Sequence, residues 1–166
     1  DPYAVSFGNF CVFNIGLDGK VIVENVDVSR KTQERFEKQT LLFYTGITRS
    51  SENILREQHQ KIKRNEKNAL DLKHQIKRIG REIHKSFETD NLDTFGHLMD
   101  EHWNLKKSMS NKMSNNIFDE VYKKAKKAGA LGGKILGAGG GGFFLIYCPE
   151  GSENSVRKVF NRYKMR

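Results

Sequence analysis

Five of the chain's 15 glycines fall within six consecutive positions, Gly137, Gly139, Gly140, Gly141 and Gly142 around the single Ala138. Ordering glycine costs more backbone entropy than ordering any other residue, so such a run is expected where something must approach the main chain closely. The run formally contains G-x-G-x-x-G, yet the dinucleotide fingerprint needs a helix after it, and here the apolar stretch Phe143–Cys148 reads as a buried strand. A Walker A loop is also excluded, because Phe143 stands where lysine is required. A glycine-rich hairpin or bulge between Leu136 and Phe143 satisfies the same pattern, and both readings stay open on spacing alone. A second set of chemically capable residues is Thr45, Thr48 and Arg49 around Gly46, directly after the strand-like Thr40–Tyr44. A loop there can present hydroxyls and a guanidinium to a sugar or its phosphate, since the arginine fork matches phosphate oxygens. Arg49 could equally pair with Glu52 on the surface.

Other chemistries find no support. Of the histidines, His59, His74, His84, His97 and His102, the last two are separated by roughly 140° around a helix and cannot share one face as metal ligands would. No G-x-S-x-G nucleophile elbow is present. Cys11 and Cys148 lie among apolar residues without metal or redox spacing, so they are expected to pack as small hydrophobes in a reducing compartment.

These residues must be positioned by folded elements. Asp1-Pro2 followed by Tyr3–Phe7 and Gly8 places an N-cap acceptor, a first-turn proline and a glycine stop around a short helix. Asn9–Asn14 and Lys20–Glu24, separated by Gly16-Leu17-Asp18-Gly19, read as a hairpin. Ser50 or Ser51 can cap a helix through Ile54, Leu55 and Gln58, and a helical hairpin is predicted from Glu66 to Phe87 and from Leu92 to Lys107. Its stripes are Leu72, Ile76, Ile79, Ile83 and Phe87, then Leu92, Phe95, Met99 and Trp103. Asn116 is predicted to cap a helix carrying Ile117, Val121, Ala125 and Ala128, with Gly129 in its left-handed C-terminal position. Lys134–Leu136 leads into the glycine run, and Ser152–Tyr163 makes a last helix with Val156, Val159 and Phe160 inward. Strands, then clustered helices, then strands argue an α+β fold with an antiparallel sheet.

The net charge of +9 raises the question of a polyanionic partner. Between Arg56 and Lys85 there are ten Lys or Arg against four Asp or Glu, but the apolar stripe of the same stretch makes those charges the wet face of a helix. No aromatic residues interleave with them as stacking platforms, so neither nucleic acid nor membrane is expected as a partner. There is no leader and no apolar run near the roughly 18 residues a membrane span requires, which predicts a cytoplasmic protein. The sequence opens on Asp1 rather than Met and is expected to be part of something longer.

The segment Gly132-Gly133-Lys134-Ile135-Leu136-Gly137-Ala138-Gly139-Gly140-Gly141-Gly142-Phe143 resembles the third sequence motif of the GHMP (galactokinase, homoserine kinase, mevalonate kinase) superfamily. Leu42–Ser50, Asp1-Pro2-Tyr3-Ala4 with Phe7-Gly8, Ser114, the Tyr122 helix and Ala128–Gly133 are similar to its heptose-phosphate branch, so the resemblance covers essentially the full length. It implies a ferredoxin-like C-terminal domain over residues 37–166, helices on one face of an antiparallel sheet, preceded by a remnant of the N-terminal lobe over residues 1–36. It further implies transfer of the γ-phosphoryl of ATP, with Mg2+, to a hydroxyl of a heptose phosphate. Asp1 corresponds to the family's catalytic aspartate, which orients or deprotonates that hydroxyl. Gly137, Ala138, Gly139, Gly140, Gly141 and Gly142 would lie beside the phosphates at the seam of two lobes, and Thr45, Gly46, Thr48 and Arg49 would bind the sugar phosphate. Nothing matches the family's proline-, glycine- and serine-rich phosphate loop, so the main ATP site is expected on a missing N-terminal lobe, and the chain alone is expected to be inactive. The strand that usually follows the last helix is not evident beyond Arg166. Another GHMP small-molecule kinase, galactokinase- or mevalonate kinase-like, and a non-catalytic basic interaction module are the alternatives.

Overall fold

Short-range turn chemistry sets the amino-terminal part of the chain. The computed structural model describes residues 2–48, 56, 67–110 and 112–166. Helix α1 (Pro2–Phe7) stops at Gly8, whose φ of +64° only glycine adopts without strain. Strands β1 (Cys11–Ile15) and β2 (Val21–Asn25) pair antiparallel as expected from the glycine-bearing turn between them. Tyr3 and Phe7 of α1 lie against Phe13 on one face of this ribbon.

Helix α2 (Arg30–Gln39), absent from the sequence expectations, runs directly into β3 (Thr40–Tyr44). It carries no apolar stripe, and what starts it is a cap: Ser29 Oγ accepts from Thr32 N–H at 3.2 Å. The carboxylate of Asp90 accepts from both Ser29 Oγ and Thr32 Oγ1, anchoring this start to the turn between α3 (Lys67–Glu88) and α4 (Leu92–Met109). Those two bonds hold the Asp90 carboxyl below its usual range. The helix continues through residue 36, where a boundary between lobe remnant and domain was expected.

The helical hairpin α3–α4 forms where the stripes predict it, and Leu92, Phe95, Met99 and Trp103 are all buried. Helix α5 (Asn116–Lys127) starts one residue earlier than expected, because Asn115, not Asn116, accepts from Phe118 N–H at 2.9 Å. Its inward face is accordingly Phe118, Val121, Tyr122 and Ala125, and Ile117 is left exposed. Gly129 adopts φ +110° just past the C-cap Ala128. Strands β4 (Gly132–Ile135) and β5 (Phe143–Tyr147) and helix α6 (Glu153–Arg162) complete the chain.

The three-stranded sheet has the order β3-β5-β4, antiparallel throughout, which gives the expected α+β class. Side chains of a strand alternate between faces, and here both faces are used. Phe144 and Ile146 join Leu41, Phe43, Ile135 and Trp103 against Phe118 and Val121 of α5 and Val156 and Phe160 of α6. On the other face Tyr147 and Leu145 pack with Phe87, Leu92, Phe95 and Met99 of the helical hairpin and with Phe36 of α2. At about 1.5–3 kcal/mol for each large apolar side chain buried, these two clusters hold the sheet and its loops in place. Arg166 exchanges two backbone hydrogen bonds with Tyr44 on the outer edge of β3.

Candidate functional site

The glycine run is the connection of a β-hairpin. It leaves β4 at Leu136, whose N–H donates to Phe143 O at 2.8 Å, and returns as β5. A strand therefore follows the run, as the dinucleotide and Walker A readings could not accommodate. Positive φ values at Gly137 (+66°), Gly139 (+89°), Gly140 (+67°) and Gly142 (+87°) explain four of the five glycines. Gly141 is glycine for a different reason: a Cβ there would stand 2.8 Å from the carbonyl oxygen of Ile47.

Three neighbours pin the loop. From the end of β3, Thr45 N–H and Thr45 Oγ1 both donate to Gly142 O at 2.9 Å, and Gly142 N–H donates back to Ile47 O at 2.8 Å. From the connection between α4 and α5, Met113 O accepts from Gly140 N–H at 2.7 Å, while the Met113 sulfur lies 2.7 Å from where a Gly139 Cβ would be. From the last turn of α4, Lys106 Nζ donates to Gly137 O at 2.8 Å. With Gly140 and Gly142 so engaged, the N–H groups of Ala138 and Gly141 keep no backbone acceptor among the described residues.

Beside the loop, the Lys134 ammonium on β4 faces Nδ1 of His102 on α4 at 3.1 Å. Burial, reinforced by the nearby Lys134 and Lys106 charges, pushes His102 down to about 3, so its ring is neutral and accepts from Lys134. Burial and then the Lys106 charge bring Lys134 down to about 8, and burial also lowers Lys106. Two residues before His102 on α4, Asp100 accepts from Tyr122 OH at 2.6 Å and pairs with Lys126 at 3.3 Å. Burial and the Asp100 contact push the Tyr122 phenol far above its ordinary value, so it serves as a donor and not as an acid.

The two segments singled out in the sequence thus meet: the loop carrying Thr45, Gly46 and Thr48 is laced to the glycine run. Gly46 has φ +75°, and Thr48 is exposed. The Thr45 hydroxyl is spent on Gly142 O, which makes it a brace within the site. Asp1 and Arg49 lie outside the described residues, and so does the helix proposed from Ser50 or Ser51 apart from Arg56, which is helical. Sequence reasoning did not find Lys106, Lys134, His102 or the Met113 carbonyl. The spacing of His102 and Lys106, one helical turn apart on α4, was the available signal for the first pair; a backbone carbonyl has none. Among the described residues no group of three or more His, Cys, Asp or Glu could hold a metal ion, and no helix is long and apolar enough to cross a membrane.

Residues 83–164 match the family described as GHMP kinases C terminal. The chain is 31% identical over 162 residues to D-glycero-alpha-D-manno-heptose 7-phosphate kinase of Campylobacter jejuni, covering 98% of this chain and 47% of that protein. Among solved structures, L. major mevalonate kinase in complex with R-mevalonate superposes with a TM-score of 0.78 at 18% identity, over 96% of this chain and 47% of that one. A D-glycero-D-manno-heptose 1-phosphate kinase from Bacteriodes thetaiotaomicron superposes with a TM-score of 0.67 at 23% identity, over 97% and 42%. The chain therefore spans about half the length of these relatives.

Proposed function

Because this chain belongs to the GHMP kinases, carrying their C-terminal domain over residues 83–164, we propose that the full-length protein transfers the γ-phosphoryl group of ATP to a hydroxyl of a heptose phosphate. The observation that carries this reading is the 31% identity to a heptose 7-phosphate kinase, which runs across 98% of the chain, both candidate segments included. Phosphoryl transfer needs positioning and charge neutralisation more than covalent chemistry, and a rigidly pinned backbone loop is suited to the first. Ala138 and Gly141 offer N–H groups toward phosphate oxygens, Thr48 lies on the same loop pair, and Arg49 follows it to receive the phosphate of the acceptor sugar. Asp1 orients the attacking hydroxyl.

The cofactor's metal fits less well. Among the described residues there is no carboxylate cluster for Mg2+, so the ion and most of the ATP would be held by the half of the protein outside this chain. In that assembly α1 and the β1–β2 ribbon, within the expected remnant 1–36, belong with the N-terminal lobe. Val5, Phe7, Ile15, Leu17 and Ile22 of α1 and the β1–β2 ribbon are exposed, an apolar surface that such a lobe would cover. The protein would work in the cytoplasm, where ATP and sugar phosphates meet.

The test is ATP-dependent phosphorylation by the full-length protein across heptose 7-phosphate, heptose 1-phosphate, unphosphorylated heptose, galactose and mevalonate. Turnover in the kinase range, roughly 1–100 per second, on a heptose phosphate in preference to the others is expected. Preference for galactose or mevalonate would reassign the substrate. No turnover on any of them, with tight and steeply salt-dependent polyanion binding, would replace the enzyme with a basic interaction module.

A further inference from the structure

We propose that His102, Lys106 and Lys134 form an oxyanion-binding site at the root of the glycine loop, built to take a phosphate group. Three elements supply it: α4 gives His102 and Lys106 one turn apart, β4 gives Lys134, and the loop gives Gly137, whose carbonyl fixes Lys106. Among the described residues each ammonium spends a single donor, Lys106 on Gly137 O and Lys134 on His102 Nδ1, although each has three to offer. Both are half-buried beside the exposed Leu136 and Gly137, so an anion from solvent can reach them.

Among the described residues no carboxylate pairs with either ammonium. The acids closest along α4 are engaged elsewhere: Asp100 by Tyr122 and Lys126, and Glu101 by Arg78. Asp119 on α5 takes Lys107 and Ser114. Cations in the last turn of a helix complement its dipole, and that suffices for Lys106 and Lys107. It does not account for Lys134, which arrives from a strand, is driven down to about 8 by burial and the Lys106 charge, and rests on a neutral imidazole. Two half-buried ammonium groups with no acid beside them among the described residues are costly alone and favourable around a phosphate.

The chemistry is that of a phosphate monoester or a nucleotide's terminal phosphate, and the site rests on the proposed kinase reading only for which of the two it receives. Calorimetric titration of the full-length protein with inorganic phosphate tests the site without any turnover. Lys134→Met and Lys106→Met should each weaken phosphate by tenfold or more, while Lys107→Met, whose charge sits on Asp119, should leave it unchanged. Equal affinity in all four proteins would overturn the site. Should a variant fold poorly, the lysine side-chain NMR titration of the wild type decides: phosphate must raise the pKa of Lys134, and an unmoved titration overturns the proposal equally. Kinetics then distinguish the sources. A KM increase confined to ATP in Lys134→Met assigns the nucleotide, and one confined to heptose phosphate assigns the sugar. Phosphate binding without kinase turnover would remove the kinase reading and leave the site, whereas turnover with phosphate affinity untouched by the variants would do the reverse.

Discussion

Thr45→Val separates a brace from a substrate ligand. The substitution keeps the shape of the buried side chain and removes one hydroxyl, which donates to Gly142 O at 2.9 Å and accepts from Ile47 N–H at 3.4 Å. Gly142 O is not orphaned, since Thr45 N–H still reaches it at 2.9 Å, and the exposed Ile47 N–H can turn to water. The loss is therefore that of one net hydrogen bond, about 1 kcal/mol, and not the larger penalty of an unsatisfied buried carbonyl. With a urea slope of roughly 1–3 kcal/mol per molar, the unfolding midpoint of the full-length protein should fall by about 0.3–1 M. Thr45→Ser, which keeps the hydroxyl, should recover most of the shift. If the hydroxyl only braces the loop, kcat/KM should drop less than tenfold and by the same factor for every sugar accepted. A KM increase of tenfold or more for heptose phosphate alone, with the urea midpoint unmoved, would show that Thr45 touches the substrate and would refute the brace.

Gly132→Ala places a Cβ 1.9 Å from Gly96 O and 2.8 Å from Asp100 N, backbone atoms of α4 that cannot rotate away, so a loss of about 3 kcal/mol or more is expected in urea unfolding. Gly80→Ala, with nothing within 4 Å in the middle of α3, should instead gain about 1 kcal/mol. Gly141→Ala drives a Cβ into Ile47 O and should open the clasp, lowering kcat of the full-length enzyme more than tenfold. Gly142→Ala, at φ +87° with open space around it, should cost only about 1–2 kcal/mol of backbone strain; equal kinetic damage from both would deny the clasp its role. Lys134 binds its proton less tightly when folded, about 8 against an ordinary 10.5, so its burial penalty is complete below pH 8 and is relieved as pH rises toward 10.5. Lys134→Met should accordingly be the more stable protein at neutral pH and should lack that alkaline gain, as stability curves at pH 7 and pH 10 will show.

The elements were legible where periodicity and capping agreed. Leu92, Phe95, Met99 and Trp103 announce α4 because the same residues that make the stripe also fill the core. Helix α2 was hidden because it is short and polar, buries chiefly Thr32 and Gln39, and owes its start to Ser29 and its anchorage to Asp90, 58 residues away from Thr32. The one-residue shift at the start of α5 arose from two adjacent asparagines of equal capping ability, and it changed which side chain, Ile117 or Phe118, reaches the core. At the site, the sequence pointed to the glycine run and to the Thr45–Thr48 loop. It could not point to their juxtaposition, because that depends on the β3–β5 register, in which Tyr44 stands opposite Phe143 and the two loops must leave the sheet side by side.

The β4–β5 register in turn explains why the glycine loop is coupled to the helical hairpin. Gly132 lies opposite Tyr147 on β5, and its bare Cα lets the backbone of α4 approach at Gly96 and Asp100. The same close approach brings His102 and Lys106, further along α4, to Lys134 and Gly137. Spacing between α4 and β4 therefore sets the position of the cations and the entry of the glycine loop together. A side chain at Gly132 would push the helix from the strand and separate Lys134 from His102 before it disturbed any residue of the loop itself. Loss of phosphate affinity in a folded Gly132 variant, with the loop sequence intact, is the behaviour this coupling requires.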